Sequence, residues 1–203
     1  MTSVHRIMRP DTAMIGASVY ERAENDHYPT PENCTRAVAN FLTAKKFLTN
    51  YSVIWESSCG NGKMVHVLEE EFDKVIATDL FPKMDAPTLD FITTEPAFGF
   101  DAIITNPPYS DTDGWMDRCL YYVRNWGTTA AMLMRHEVDS ASSRERFFSA
   151  CPEYAARLTL TWRPRWIEGS TGSPRHNYDW YIWRPGSHDG AKNYYAFRRD
   201  CGA

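Results

Sequence analysis

The strongest sign of fold class is the stretch Ser52-Val-Ile-Trp-Glu-Ser-Ser-Cys-Gly-Asn-Gly62. It begins with a short apolar run of the kind found in buried strands, and its two glycines allow the backbone to turn tightly after that run. Apolar residues then recur at helical spacing, at Val65, Leu68 and Phe72. The stretch therefore predicts a strand, a tight turn and a helix in direct succession.

Similar units lie on both sides of this stretch. Further apolar runs predict strands near 74–78, 100–105, 128–134, 157–163 and 177–183. Helices are predicted over about 31–48, 113–126 and 143–149. Strands that alternate with helices predict a parallel α/β sheet, and the last two strands, with no helix between them, predict an antiparallel hairpin at one edge. Ligands bind such sheets at the carboxyl ends of the strands, so residues that follow strands are the candidate site residues.

Length and composition fit one globular domain. The chain has 203 residues, of which 43% are hydrophobic and 24% charged, and this excludes disordered and fibrous proteins. We find no run of about 20 apolar residues that could span a membrane, and no apolar core of a signal peptide near Met1. The five cysteines include no Cys-x-x-Cys pair and the six histidines show no metal spacing. We therefore expect no disulfides and no metal site, and we expect a cytoplasmic location.

The charge is unevenly distributed along the chain. The net charge of −4 argues against a protein held on nucleic acid by bulk electrostatics. Residues 1–127 carry 11 Lys and Arg against 18 Asp and Glu, whereas residues 128–203 carry 11 against 8, and ten of those late cations are Arg. Arginine suits phosphate contacts and base stacking, but a solvated charged face explains a bias of this size equally well.

The chain divides into a short arm and one domain. Residues 1–27 are polar and lack periodicity, so they are predicted to form an N-terminal arm, and residues 28–203 the domain. The segment Tyr28-Pro-Thr-Pro31 is predicted to be extended, because each proline restricts the residue before it. Pro31 is predicted in the first turn of the first helix, with Thr30 as its cap.

Two polar motifs follow the first two strands of the domain. Glu56-Ser-Ser-Cys-Gly60-Asn-Gly62 is not a P-loop, because position 57 lacks the required glycine, and not a dinucleotide fingerprint, because position 65 is Val. Asp79 ends the next strand, 19 residues after Gly60. A carboxylate there can accept both hydroxyls of a ribose. On its own Asp79 could equally be a turn residue, but its pairing with the glycine turn favours a nucleotide-like ligand.

The most specific motif is Asn106-Pro-Pro-Tyr109, directly after another buried strand. A match to this type of motif is expected by chance in roughly one such chain in a hundred. A rigid turn is the simpler explanation of two prolines. Its position at a strand end, after the two other motifs, makes a functional role the better interpretation.

With these motifs, the chain resembles the class I S-adenosylmethionine-dependent methyltransferases, and among them the DNA adenine-N6 type with an (Asn/Asp)-Pro-Pro-Tyr motif. The resemblance covers about residues 27–185 and is to the small phage and bacterial forms that lack a separate target-recognition domain. It implies a single Rossmann-like domain with a seven-stranded, mostly parallel sheet, an antiparallel edge hairpin and helices on both faces. It also implies S-adenosylmethionine as the cofactor and DNA as the partner.

The resemblance further implies the roles of individual residues. The catalytic residues would be Asn106, Pro107, Pro108 and Tyr109. The cofactor-binding residues would be Tyr28, Thr30, Pro31, Glu56, Ser58, Cys59, Gly60, Gly62, Asp79, Leu80, Asp90, Phe91 and Asn106. Of these, the pair Asp90-Phe91 would flank the cofactor adenine, and it is the least specific part of the match.

The residue types of the motif agree with this chemistry. An exocyclic amino group is a poor nucleophile because its lone pair is delocalised into the ring. The side-chain oxygen of Asn106 and the carbonyl of Pro107 can accept its two N–H bonds and stabilise the positive charge that develops. Tyr109 offers a ring on which the target base can stack. Methylation of cytosine C5 would instead need a Pro-Cys nucleophile, which neither Cys59 nor Cys151 provides.

The late loop is the candidate nucleic-acid surface. It carries Arg163, Arg165, Arg175 and His176 among aromatic residues, a combination that suits a single strand or a flipped base. The nearby tryptophans are assigned mainly to the core. With no recognition domain, weak and loosely specific DNA binding is expected, or help from a second subunit or a second copy of the chain. RNA adenine, cytosine N4, a protein glutamine and a catalytically silent binding subunit remain open alternatives.

Overall fold

The computed structural model describes residues 28–167, 169, 173–187 and 190–202. The predicted arm, residues 1–27, lies outside the described residues. The strands form one seven-stranded sheet in the order β2-β1-β3-β4-β6-β5-β7. Only β6 runs antiparallel to its neighbours. The predicted α/β fold, with a mostly parallel sheet and an antiparallel hairpin, is confirmed.

The sheet and its helices have the following bounds. The strands are β1 (Val53–Glu56), β2 (Lys74–Ala77), β3 (Ala102–Thr105), β4 (Thr129–Arg135), β5 (Tyr154–Leu160), β6 (Tyr178–Trp183) and β7 (Lys192–Ala196). The α-helices are α1 (Glu32–Ala44), α2 (Lys63–Glu71) and α3 (Thr112–Trp126). Short 3-10 helices cover Tyr109–Asp111, Val138–Ser140, Ser142–Phe147 and Arg198–Asp200.

Each face of the sheet has its own hydrophobic core. Ile54 and Ile104 point to the face covered by α1 and α2, whereas Trp55 and Ile103 point to the face covered by α3. Successive residues of a strand alternate between faces, so a strand buried on both sides is apolar along its whole length. The four residues of β3 are all buried. The central strands are thereby fixed in position, and so are the loops at their carboxyl ends.

The start of α1 differs from the prediction. Pro31 is the residue before the first helical turn, and no side chain caps the helix. Thr30 was predicted to be the cap, which is wrong: its hydroxyl oxygen instead accepts a hydrogen bond from Asn106 Nδ2, at 3.0 Å. The helix also ends at Ala44, four residues early, because Lys46 adopts a positive φ of 57°. Leu48 is still buried, since the chain folds back and its N–H donates to the carbonyl of Leu42.

Two further elements differ in detail from the prediction. The short helix predicted around 143–149 is a 3-10 helix over Ser142–Phe147. Strand β7 has no counterpart among the predicted strands. It pairs in parallel with β5 and forms the edge of the sheet. Its residues are only half-buried or exposed, so an apolar run could not reveal it.

The tryptophans of β6 belong to the core, as predicted. Trp180 and Trp183 are fully buried. Their ring N–H groups donate to the carbonyls of Cys34 and Phe147, at 2.9 and 2.7 Å, so burial leaves neither donor unpaired. The five cysteines are buried and unpaired. Among the helices of the described residues, none has the length and apolarity to span a membrane.

Candidate functional site

The carboxyl ends of β1, β2 and β3 border a cleft of about 610 Å³. The extended segment before α1 forms part of its wall. The predicted site residues that line it are Tyr28, Thr30, Ser58, Cys59, Gly60, Asp79, Leu80, Asp90, Phe91, Asn106 and Pro108. The predicted residues outside its lining are Pro31, Glu56, Gly62, Pro107, Tyr109, Arg163, Arg165, Arg175 and His176. The structure thus gathers most of the predicted cofactor residues around one space.

The glycine turn after β1 places both of its glycines in the left-handed region. Gly60 and Gly62 have φ values of 52° and 82°, which residues with a Cβ rarely adopt. A Cβ on Gly62 would also stand 2.7 Å from the sulfur of Met84. The loop after β2 packs directly on this turn, and the N–H of Lys83 donates to the carbonyl of Gly60, at 2.9 Å. The two glycines therefore let two loops meet at the mouth of the cleft.

Asp79 links the same two loops. Its Oδ2 accepts from the N–H of Gly60 at 2.8 Å, and its Oδ1 accepts from the N–H of Phe81 at 2.7 Å. Each carboxylate oxygen can accept more than one hydrogen bond, so both retain capacity for a ligand hydroxyl. Leu80 and Phe81 beside it are about half exposed, at 47% and 55%. Asp79 thus stabilises the turn and also lines the cleft, two positions between which its sequence context could not decide.

Glu56, the last residue of β1, is completely buried behind the cleft. Its Oε1 accepts from the N–H of Ser58 at 2.9 Å and from the Thr105 hydroxyl at 2.7 Å, so it ties the end of β1 to the end of β3. Burial raises the pKa of its carboxyl to about 7. Its Oε2 is buried and has no hydrogen-bond partner among the described residues. Such an orphaned acceptor is rare in folded proteins and marks a place where a cationic or donor group would be stabilised.

We expect Glu56→Gln to change the pH dependence of stability. The carboxyl has its ordinary pKa of 4.5 in the unfolded chain and about 7 in the fold. Between these values the folded protein holds one proton more, so its free energy of unfolding falls as the pH rises through that window. The neutral amide lacks this titration. From low to neutral pH, the free energy of unfolding of the variant should therefore rise by about 3 kcal/mol relative to that of the wild type.

Urea unfolding of both proteins, at about pH 5 and about pH 8, measures this difference. A difference in unfolding free energy that stays the same at both pH values would contradict the raised pKa of Glu56.

Asn106 follows β3 and its side chain connects two other segments. Its Nδ2 donates to the Thr30 hydroxyl oxygen at 3.0 Å, and its Oδ1 accepts from the Tyr109 hydroxyl at 2.7 Å. Its backbone carbonyl accepts from the Ser58 hydroxyl at 3.0 Å. Asn106 also lines the cleft. An oriented amide oxygen and the cleft are therefore direct neighbours.

Tyr109 lies on the side of Asn106 that faces β4 and β6. Its ring packs against Tyr178 with 6.1 Å between centroids, and Tyr178 meets Trp166 edge to face at 4.9 Å. Its hydroxyl is also 3.4 Å from the carbonyl of Leu133. The three rings thus pack together next to Asn106, and none of them lines the cleft.

The pair Asp90-Phe91 forms the wall of the cleft nearest α3. Asp90 accepts from the N–H of Ile92 at 2.9 Å and from the Thr93 hydroxyl at 2.7 Å. The bond from Thr93 is the main reason why the pKa of the Asp90 carboxyl is lowered. Phe91 is buried and stacks on Trp115, with 4.4 Å between centroids. The carboxylate is therefore ionised and fixed at the cleft wall.

No thiol of this region is prepared to act as a nucleophile. Cys59 lies in the glycine turn, where burial raises the pKa of its thiol to about 12. Burial and a hydrogen bond to Glu153 also raise the pKa of the Cys151 thiol. Both groups stay protonated at neutral pH, so covalent catalysis through cysteine is disfavoured. Within the described residues, no group of three or more His, Cys, Asp and Glu side chains is arranged to hold a metal ion.

Three exposed arginines and one exposed histidine lie at the same edge of the sheet, beyond Tyr178. The rim cations are Arg135, Arg163 and Arg175, and His176 lies beside them. Arg135 pairs with Tyr178 in the sheet. Partial burial and the charges of the three arginines lower the pKa of His176, against the opposing charge of Glu137. Arg163 also donates to the Asn177 side chain at 3.0 Å. Arg165 is exposed in the same loop.

Sequence analysis did not identify several residues of this region. Arg135 ends β4 and joins the rim cations only through the fold. Trp115 reaches the cleft from α3, where the helical pattern indicates only core packing. Phe81 had a usable signal, because it directly follows Leu80 and Asp79. Lys63 and Lys83 line the cleft as well, and no motif points to them.

No protein-family model and no curated protein sequence matches the chain. Solved structures do match it. One is a Listeria monocytogenes protein provisionally assigned as a class I S-adenosylmethionine-dependent methyltransferase, with a TM-score of 0.59 and 12% identity over 83% of this chain and 65% of that one. The chain has the fold of class I methyltransferases.

Nucleic-acid methyltransferases are among the other structural neighbours. The methyltransferase subunit of a type I restriction-modification system from Streptococcus thermophilus matches with a TM-score of 0.58 and 11% identity, over 84% of this chain and 47% of that one. The 23S rRNA methyltransferase ErmE matches with a TM-score of 0.53 and 16% identity, over 80% and 71%. The chain thus spans less than two thirds of the Listeria and Streptococcus proteins. At these identities the likeness establishes the fold alone.

Proposed function

We propose that this protein transfers a methyl group from S-adenosylmethionine to the N6 amino group of adenine in DNA. The observation that carries the proposal is Asn106, whose oriented side-chain oxygen stands between the cleft and the aromatic rings of Tyr109 and Tyr178. A cofactor in the cleft and a base against the rings would meet at this residue. Methyl transfer needs the amino nitrogen to be held close to the cofactor, and an acceptor for its N–H at this place would do so.

Several features of the cleft support the cofactor. Its 610 Å³ lies in the size range of cofactor pockets. Asp79 retains capacity for ribose hydroxyls, and the glycine turn lets the backbone approach a ligand closely. The buried, unpartnered Oε2 of Glu56 would favour a positive charge nearby. When bound, S-adenosylmethionine supplies an electrophilic methyl group on a positively charged sulfur.

The protein's own groups would prepare the amino group of the base. Asn106 Oδ1 would accept one N–H, which directs the nitrogen lone pair and stabilises the charge that develops on the nitrogen. Pro107 is buried between Asn106 and Pro108, so the backbone of the motif is held rigidly. The half-buried ring of Tyr109 offers apolar surface for the base. With the thiols protonated, attack through a covalent cysteine intermediate at cytosine C5 has no support in this site.

The rim cations and Arg165 support a nucleic-acid substrate. They stand on the same edge as the aromatic rings, where the backbone of a strand that delivers a base would run. Arginine next to aromatic side chains is the combination used for single-stranded or flipped nucleotides. Since the net charge of the chain is −4, we propose that binding is weak without a second subunit or a second copy. DNA and the cofactor both point to a cytoplasmic location.

We expect loss of the rim arginines to reduce the salt dependence of DNA binding. In the double variant Arg163→Gln/Arg175→Gln, each lost phosphate contact should lower the slope of log K against log salt by about 0.9 for duplex or about 0.7 for single-stranded DNA. Fluorescence anisotropy of labelled DNA from about 50 to 200 mM salt measures the slope. Lys74→Gln is the control, because Lys74 is exposed at the start of β2, on the opposite edge of the sheet. Equal slopes in all three proteins would contradict this role.

The acceptor is identified by offering labelled S-adenosylmethionine together with duplex DNA, single-stranded DNA, RNA or cell protein. The proposal predicts label in DNA. Asn125→Ala is a matched control for Asn106→Ala, because Asn125 is exposed on the last turn of α3 and lines no cleft. Label in RNA or protein would show that the same chemistry acts on that acceptor and not on DNA. Cofactor binding without label in any pool would favour a silent binding subunit and contradict the proposal.

A further inference from the structure

We infer that Thr30 is a positioning residue that orients the amide of Asn106, and not primarily a cofactor ligand. The inference rests on the proposed function, because it assigns a task to Asn106 that only methyl transfer requires. It concerns a contact between two segments that are 76 residues apart in the chain. Neither the cofactor role implied for Thr30 nor its predicted capping role contains this contact.

The backbone around Thr30 is rigid and its side chain is buried. Pro29 and Pro31 flank it, so its own backbone is confined to extended conformations. The residue is 4% exposed, whereas both prolines are only half-buried. The following helix makes no use of its hydroxyl, since no side chain caps α1 and the N–H of Cys34 donates to the carbonyl of Pro31, at 2.9 Å. The Thr30 hydroxyl can therefore bond to Asn106, which directly follows β3.

The amide of Asn106 needs an external partner to stay oriented. The last torsion of an asparagine side chain is soft, and its oxygen and nitrogen ends have nearly the same shape. When Nδ2 donates to Thr30, Oδ1 is directed to the other side, where the Tyr109 hydroxyl donates to it at 2.7 Å. The amide oxygen can accept a second hydrogen bond, which the amino group of a substrate would donate. Without Thr30, the amide could rotate and present a donor to the substrate instead.

The test separates positioning from cofactor binding. Thr30→Val keeps the shape of the side chain and removes the hydroxyl, and Thr30→Ser keeps the hydroxyl. Thr35→Val is the matched control, because Thr35 is also buried near the start of α1 and its hydroxyl has no hydrogen-bond partner among the described residues. The rate constant kcat at saturating cofactor is measured with the acceptor that takes the label, and the cofactor Kd by calorimetry.

We expect Thr30→Val to lower kcat about 10-fold to 100-fold, as misplacement of a catalytic group by an ångström does. The cofactor Kd should stay within about threefold, and Thr30→Ser and Thr35→Val should keep most of the wild-type kcat. An unchanged kcat in Thr30→Val would overturn the inference. So would a raised cofactor Kd with full kcat at saturation, because that result returns Thr30 to cofactor binding.

A second readout does not depend on turnover. The side-chain amide signals of Asn106 in a nitrogen-15 spectrum are identified by their loss in Asn106→Asp. In Thr30→Val these protons should exchange with solvent about fivefold to tenfold faster, the range expected for one lost hydrogen bond. Equal exchange would overturn the inference. A wild-type protein that methylates no acceptor would defeat the proposed function, whereas the exchange measurement would still decide whether Thr30 holds Asn106.

Discussion

In Asn106→Ala, the rate of methyl transfer is expected to fall about 100-fold to 1000-fold. This is the effect of removing one preorganised hydrogen-bond partner from a developing charge. The side-chain oxygen of Asn106 is the acceptor that stands between the cleft and the aromatic rings. Truncation removes that acceptor and the hydrogen bonds that join Asn106 to the hydroxyls of Thr30 and Tyr109. The lost interaction acts in the transition state, so the effect should appear in kcat.

The cofactor Kd should change little in the same variant. The backbone carbonyl of Asn106, which accepts from the Ser58 hydroxyl, is untouched by the substitution. Asn106→Asp provides the sharper comparison, because a carboxylate keeps an acceptor at this place and the Thr30 hydroxyl can donate to it. We expect Asn106→Asp to retain activity within about 10-fold of the wild type. Equal activity of Asn106→Ala and the wild type would refute the catalytic role of this residue.

In Asp79→Ala, the affinity for S-adenosylmethionine is expected to fall by about 100-fold, the value of one to two hydrogen bonds to a charged group. The carboxylate serves two purposes at once. It holds the turn at Gly60 and the loop at Phe81 together, and it keeps acceptor capacity for the ribose hydroxyls. Its loss should raise the Kd while kcat at saturating cofactor changes much less.

Calorimetric titration with S-adenosylhomocysteine measures this Kd without turnover. Asp85→Asn is the control, because Asp85 is exposed in the same loop and lines no part of the cleft. A Kd for Asp79→Ala that equals that of the control would show that the cleft does not bind a ribose at Asp79.

The sequence predicted the parts of the molecule that depend on local pattern. The apolar runs around Ile54 and Ile103 located central strands correctly, because a strand buried on both faces must be apolar throughout. The motifs at Gly60 and Asn106 were found because each follows such a strand, and Asp79 was found because it follows the apolar run of the half-buried edge strand β2. Parallel strands bring their carboxyl ends to one edge, so the convergence of these motifs on a cleft follows from the fold class.

The remaining features depend on contacts between distant segments. Strand β7 is half-exposed and carries no apolar run, so only its pairing with β5 defines it. Thr30 resembles a cap in sequence, yet its hydroxyl serves Asn106, and spacing along the chain cannot predict a contact across 76 residues. The orphaned oxygen of Glu56 and the position of Arg135 among the rim cations likewise require the packed structure.

The role of Tyr109 is also clearer in the structure than in the sequence. Its motif suggests a ring that stacks on the target base, and the ring does stand beside Tyr178 next to Asn106. Its hydroxyl, however, already donates to Asn106 Oδ1. An amide oxygen can accept two hydrogen bonds, so a substrate amino group can donate to this oxygen beside the Tyr109 hydroxyl.

The most direct test of the account is to identify the methylated nucleoside. DNA is incubated with the protein and S-adenosylmethionine, digested to nucleosides and analysed by mass spectrometry, with Asn106→Ala run in parallel. The account predicts N6-methyladenine that depends on Asn106. Methylated DNA that carries N4-methylcytosine or 5-methylcytosine instead, or N6-methyladenine formed equally well by Asn106→Ala, would contradict it.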